Sequence, residues 1–383
     1  MKPSNGVGKV SLLLKFSCFL LAILLGGSIL ACQAQKEPLR IGFVETLTGR
    51  YSDLGVSGRD GVILAVEEKN RAGGLLGKPI ELLTGDDQQD PHTAMEVDRQ
   101  LIASGVIALI GHMTSEMSLA ALPVVNSAQT VMLSPTTASA LLSGKKDFFF
   151  RVYEPLDREI LELAKWILKQ KRIVTMALLY DPANETYAKD YAQRFQRTYG
   201  ELGGKVLTTV ASSVTNTAQL MQGAQKIKEL APEAVLIIHN ALDTLLVLES
   251  LQRTGWKGTP FASAWSMTNE ILEQGRAIAE GLHSIVPFFR DHPSEAFQKF
   301  RKAFLARFKR EPDFPALYGY EAAWVLFRAY EKARAPGEAL AKAIVEIKEF
   351  EGLQSRIAMD EFGDATMEKY PVVIKEGKMK RAL

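Results

Sequence analysis

Short apolar runs alternate with amphipathic stretches along most of this chain, and that alternation limits the fold more than any other feature. Leu39–Val44, Ile80–Thr84, Val106–Ile110 and Val131–Leu133 are mostly apolar. A strand with one wet face alternates apolar and polar residues, whereas a continuous apolar run needs cover on both faces. The segments between them have helical spacing: Ser57–Asn70, with Val62, Ala65 and Val66 on one side, then Pro91–Ala103 and Ser115–Ala128. Ala72-Gly73-Gly74 stops the first of these. The pattern predicts a parallel sheet with helices on both faces.

The alternation pauses at Phe148–Val152 and then resumes. Asp157–Lys169 reads as a helix with Asp157 as its N-cap, Ile173–Tyr180 as a strand and Thr186–Leu202 as a helix. Val206–Val210, Gln219–Leu230, Ala234–Ile238, Asp243–Thr254 and Phe261–Ala262 continue the series, and Gly281–Phe289 is extended. The fold class is therefore α/β, with two doubly wound parallel-sheet lobes joined by a hinge of several short crossings, since no proline- or glycine-rich linker separates them. Ser294–Phe308, Pro315–Ala333 and Gly337–Ile347 read as helices. By count alone they form a third unit. The tail returns to β character, with a turn at Asp360–Asp364 and a strand at Pro371–Ile374.

The first 31 residues are a separate object. Lys2, Lys9 and Lys15 precede an apolar run from Phe16 to Leu30, which is short for a membrane-spanning helix of about 20 residues and fits a secretory signal. Ile29-Leu30-Ala31-Cys32 resembles the lipobox of bacterial lipoproteins, in which the cysteine sulfur is alkylated by a diacylglycerol and becomes the first residue. The other reading is ordinary cleavage at a small-residue site with Cys32 incidental. Cleavage removes three lysines and no acid, so the net charge falls from +2 to −1. It also removes Cys18, leaving a single cysteine and no internal disulfide. Residues 33–37 are a polar tether.

The rest of the sequence excludes several function classes. There is no long basic run, so nucleic-acid binding has little electrostatic support. No G-x-G-x-x-G follows a strand, and neither a Walker A sequence nor a G-x-S-x-G elbow occurs. Gly73–Lys78 is glycine-rich but ends a helix instead of opening one, which makes it a turn. The five histidines, at 92, 112, 239, 283 and 292, show no metal-ligand spacing and read as packing or surface residues. Asp86-Asp87, just after a strand, reads as capping and turn chemistry. No cofactor or metal is expected.

An ordered set of segments resembles the periplasmic leucine/isoleucine/valine-binding family of ABC-transporter receptors. It comprises Arg40–Val44 with Leu47-Thr48-Gly49, Gly61 and Ala65 through Ile80, Asp86-Asp87, Asp90-Pro91, Ile110-Gly111-His112 ahead of Ser115, Ser134-Pro135-Thr136-Thr137, and Met359-Asp360 with Phe362-Gly363-Asp364. The resemblance spans about residues 38 to 375. It implies a type I binding protein with three crossings, near Arg151–Pro155, Val286–Phe289 and Arg356–Met359. It also moves the late helices onto the first lobe and the tail onto the second. The implied organisation is 1–31 signal, 32–38 tether, 39–153 plus 288–355 lobe 1, and 154–287 plus 356–383 lobe 2.

Site residues follow from strand ends and from the resemblance. Open parallel sheets bind ligands beyond the carboxyl ends of their strands, where helix N-termini favour anions. Ser115 opens a helix after one such strand and is also a natural N-cap. Thr136 and Thr137 follow the next strand, in a ligand role or in turn chemistry. The family's hydroxyl after Ser-Pro-x-x is replaced by Ala138, and its second-lobe acid position falls on Trp265. The aromatic often found after the Ala234–Ile238 strand is replaced by Asn240, and Tyr187 has lost its glycine neighbours. Trp265 either faces the ligand or packs on a lobe surface. Asp243 opens a second-lobe helix and is the candidate to replace the missing acid. The expected function is a lipid-anchored receptor, in the periplasm or at the cell surface, binding a small polar solute (an amino acid or a related carboxylate or amide). It would be a monomer without enzymatic activity that delivers its solute to an ABC permease in the inner membrane. A sensory binding protein of the same fold, or an enzyme on a doubly wound fold, are the alternatives.

Overall fold

The first sheet has five strands, all parallel: β1 (Leu39–Glu45), β2 (Ile80–Asp86), β3 (Leu109–Gly111), β4 (Met132–Ser134) and β5 (Phe149–Arg151), in the order β2-β1-β3-β4-β5. The computed structural model describes residues 36–382, so the leader and the Cys32 junction lie outside the described residues. The continuous apolar runs are explained by the two covered faces. Val44, Leu109 and Met132 pack on one side, and Ile41, Phe43, Ile110 and Leu133 on the other.

The second sheet repeats this winding. β6 (Thr175–Tyr180), β7 (Lys205–Ala211), β8 (Ala234–Ile238), β9 (Thr259–Ala262) and β10 (His283–Val286) run parallel in the order β10-β9-β8-β6-β7. β14 (Tyr370–Lys375) and β15 (Lys378–Arg381) then extend the β10 edge antiparallel, so the tail does return to the second sheet. A small antiparallel sheet of β11 (Glu349–Glu351), β12 (Arg356–Met359) and β13 (Ala365–Thr366) has no counterpart in the expected pattern. Its strands are two to four residues long, too short for a period to show.

The late helices do not form a third unit. The helix Phe314–Ala333 lies against α1 (Ser52–Arg71). Their backbones meet at glycines. A Cβ on Gly319 would sit 2.2 Å from the Gly58 carbonyl oxygen, and one on Gly61 would sit 2.0 Å from that of Ala316. Helix α1 begins five residues before its apolar spacing suggests, and this extra turn carries Leu54 into the interior. Asp157 is not an N-cap: Pro155 holds that position, and Asp157 accepts from Arg194 at 2.8 Å. The same helix runs as α from Leu156 to Lys165 and closes with a π turn over Trp166–Gln170.

At the end of β5, Arg151 is completely buried. Its Nε donates to Asp364 Oδ1 at 2.8 Å, and its Nη1 donates to the Ser139 carbonyl at 2.9 Å. Its own amide donates to the Gly363 carbonyl at 3.1 Å. Gly363 has φ +88°, and a Cβ there would strike Phe150. One guanidinium thus ties the exit of the first sheet, the loop after β4 and the returning tail. Removing one partner of a buried ion pair strands the other charge, at a cost of about 3–5 kcal/mol. Urea unfolding of Arg151→Met is expected to show a loss of about that size, whereas a loss within about 0.5 kcal/mol, the scale of a surface substitution, would show the pair to be dispensable.

Candidate functional site

The strand orders put a topological switch in each sheet, between β1 and β3 in the first and between β6 and β8 in the second. Loops leave the carboxyl ends of neighbouring strands in opposite directions there and open a crevice. Met113, Thr114 and Ser115 follow β3, and Thr136 and Ala138 follow β4. Asn184 and Tyr187 follow β6, and Trp265 follows β9. These residues enclose a cavity with about 340 Å3 of empty space, mouth included, completed by Leu54, Tyr153 and Phe314. Only about 20 Å3 of it is open to the centre of a water-sized sphere, room for about one water, so the cleft is closed nearly tight. None of its eleven lining residues is an Asp, Glu, Lys, Arg or His.

The polar side of the cavity is the start of α3 (Ser115–Ser127), where the first-turn amides have no partner within the helix. Ser115 is the first helical residue and not the cap. Thr114 holds the cap position, and Ser115 Oγ accepts from the Ser139 amide at 3.2 Å. The Thr136 hydroxyl donates to the Met113 carbonyl at 2.7 Å, which joins the two strand-end loops. Thr137 does not line the cavity. Its hydroxyl lies 2.7 Å from that of Ser118 and donates to the His112 carbonyl at 3.1 Å, while its amide donates to Ser134 Oγ, so turn chemistry occupies it.

The apolar side is aromatic. Trp265 is nearly buried, stacks on Tyr51 at 6.0 Å between centroids, and meets the Tyr187 ring edge-on at 5.5 Å. Tyr51, Leu54, Met113, Tyr153, Asn184 and Phe314 were not nominated by the sequence. Tyr51 and Leu54 directly follow the Leu47-Thr48-Gly49 segment that carries part of the resemblance, which was a usable signal. Phe314, from the other end of the chain, had none.

Asn240 and Asp243 are also outside the cavity lining. Asn240 is the N-cap of α7 (Ala241–Thr254), its Oδ1 accepting from the Asp243 amide at 3.0 Å. The Asp243 carboxylate is held by the Arg50 guanidinium from the opposite side of the cleft. Further bonds cross with it. Tyr51 Oη donates to Asp181 at 2.8 Å, the Thr186 amide donates to Glu116 at 2.8 Å, and Ser139 Oγ donates to Asp190 at 3.0 Å. Asp190 therefore acts as a bridge between the two sides.

A family model described as periplasmic binding protein matches residues 38–378. The chain belongs to the periplasmic binding protein family. It is 26% identical over 367 residues to a Leu/Ile/Val-binding protein homolog of Brucella abortus, covering 92% of this chain and 93% of that one. It superposes on a leucine binding protein, LivK, from Thermotoga maritima with a TM-score of 0.83 at 24% identity, over 90% of this chain and 98% of that one. A solute binding protein of an ABC transporter from R. palustris, solved in complex with benzoate, gives 0.81 at 16% identity, over 90% and 95%. The fold is that of the type I periplasmic binding proteins, and the resemblance to the leucine/isoleucine/valine-binding proteins holds.

Two groups in this periplasmic binding protein have the composition of metal sites: Glu45, Asp87 and His112, and Asp181, His239 and Asp243. In each, several donors are already engaged. His112 Nδ1 lies 2.7 Å from Asp87 and its Nε2 3.4 Å from Asp98, while Arg50 and Tyr51 hold Asp243 and Asp181. His112 is thus more than a packing residue, and Asp87 is its buried partner as well as a turn former. Asp86 keeps the turn role, accepting from the Leu47 and Gln88 amides. Burial by itself lowers the His112 pKa, but Asp98 and Asp87 raise it to about 10. Burial and the neighbouring Asp87 hold the Glu45 carboxyl well above the usual carboxylate range.

The His112 backbone carbonyl accepts from Ser118, Ser134 and Thr137, so its charge pair anchors the loops that carry the cavity. A histidine raised above its unfolded value of about 6.5 stabilises fully below that pH, and the contribution fades as pH rises toward its folded value. For His112 that window ends at about 10. The stability difference between the wild type and His112→Gln, measured by urea unfolding, is expected to be largest below about pH 6.5 and to shrink steadily above it. A difference that instead grew as pH rose through about 6.5 would mean that His112 is neutral in the fold.

Proposed function

We propose that this chain is the extracytoplasmic solute-binding component of an ABC importer, anchored through a lipidated Cys32. Its ligand is a small solute with an apolar or aromatic body and a carboxylate or amide head, without a free ammonium. The observation that carries this reading is the cavity itself: an α-helix N-terminus with the Thr114, Ser115 and Thr136 hydroxyls at one side, aromatic rings at the other, and no Asp, Glu, Lys, Arg or His in its wall. Helix-terminal amides and hydroxyls suit an anionic or amide oxygen. A buried ammonium without a carboxylate partner costs several kcal/mol. The benzoate held by the R. palustris protein of the same fold is a ligand of this kind.

In this reading the moving parts are residues 39–153 plus 288–355 as one lobe and 154–287 plus 356–383 as the other. The chain does no chemistry. It works as a monomer, closing around its solute and presenting the closed shape to an inner-membrane permease.

Calorimetry with L-leucine, L-phenylalanine and 3-phenylpropionate tests the ligand class. The expected result is binding of 3-phenylpropionate in preference to both amino acids, weakened about tenfold or more in Trp265→Ala by the loss of a large apolar contact. Tight leucine binding that survives Trp265→Ala would instead make this an amino-acid receptor. The anchor is tested separately. Cys32→Ser is expected to lose its acyl chains and to leave the membrane fraction on cell fractionation, since several buried chains are needed for stable attachment. Full retention of that variant with membranes would remove Cys32 from the account.

A further inference from the structure

The two carboxylates closest in kind to an amine-holding acid are both on the second-sheet side of the cleft. Asp181 follows β6 and Asp243 follows β8, the pair of strands that form the switch point. Both are more than nine-tenths buried. Both are satisfied by adjacent residues of one turn on the opposite side: the Arg50 guanidinium on Asp243 and the Tyr51 hydroxyl on Asp181. The His239 ring lies 3.9 Å from the second Asp243 oxygen, and its other nitrogen meets the Ser212 hydroxyl at 2.9 Å. Tyr51 also stacks on Trp265, which lines the cavity.

We propose that Arg50 is a specificity determinant: its guanidinium occupies, from within the chain, the charge role that a ligand's ammonium would otherwise fill, and so reserves the cleft for solutes without a free amine. The inference rests on the cleft being the solute site. Closing the lobes brings the chain's own cation onto Asp243, so an amine entering the cleft finds that carboxylate already paired and a positive charge beside it. A solute with a carboxylate head meets the helix N-terminus and leaves the Arg50–Asp243 pair intact. In the absence of Arg50, closure would bury Asp243 without a countercharge, and an amine would then be favoured because it supplies one.

The test is the ratio of dissociation constants for L-phenylalanine and 3-phenylpropionate, measured by calorimetry. Arg50→Met keeps the apolar stem and removes the charge. It is expected to lower that ratio about tenfold or more, the scale of one charge-assisted hydrogen bond. Arg50→Lys should hold the ratio near the wild-type value. Arg50→Met combined with Asp243→Asn should return it there, because no unpaired carboxylate remains. A merely structural Arg50 would weaken both ligands equally, so an unchanged ratio in Arg50→Met, with a normal thermal melt, overturns the assignment while leaving the cleft reading in place. If the wild type binds neither compound, the aromatic-acid reading of the cleft falls and this inference falls with it.

Discussion

The Arg151 side chain, fully buried between the exit of the first sheet and the returning tail, is the contact on which the arrangement of the two sheets depends. A guanidinium is costly to dehydrate, and it is tolerated here because its donors find Asp364 and the carbonyls of the loop after β4. That loop carries Thr136 and Ala138 into the cavity. The first crossing and the loop that carries Thr136 and Ala138 therefore share one set of hydrogen bonds.

The second organising fact is the repeated winding. Each sheet has its first strand between the second and third, so each opens a crevice at the same relative position. Where the two crevices face each other, the chain places aromatic rings, hydroxyls and one helix N-terminus, with the charged groups one layer further out. Arg50, Asp181, Asp190, Asp243 and Glu116 form the bonds that cross the cleft. The charged residues thus bridge the two sides while uncharged residues line the cavity.

Much of this was legible in the sequence because it is local. A buried strand must be apolar on both faces, and a helix covering it must be apolar at a period of 3.6, so Leu39–Glu45, Pro91–Ala103 and Ala234–Ile238 appear close to where the pattern places them. Strand ends pointed to Ser115 and Thr136, and the resemblance to Ala138, Tyr187 and Trp265; all five line the one cavity. The misplaced residues failed for an equally physical reason. Thr137 and Asn240 sit on the right loops, but a hydroxyl or amide two atoms long turns toward whichever carbonyl or amide is nearest, and sequence order does not say which that is.

The sequence by itself determined most of the longer helices and strands, the doubly wound class and the family, because periodicity and ordered short motifs are properties of neighbouring residues. Only the tertiary structure decided which groups share the cleft. Arg50 and Asp243 are 193 residues apart, and Arg151 and Asp364 are 213 apart. Nothing in the local pattern around any of the four marks its partner. The pairs exist because burial in a closed fold makes an unpaired charge expensive, and the packing of two sheets selects which opposite charge is within reach.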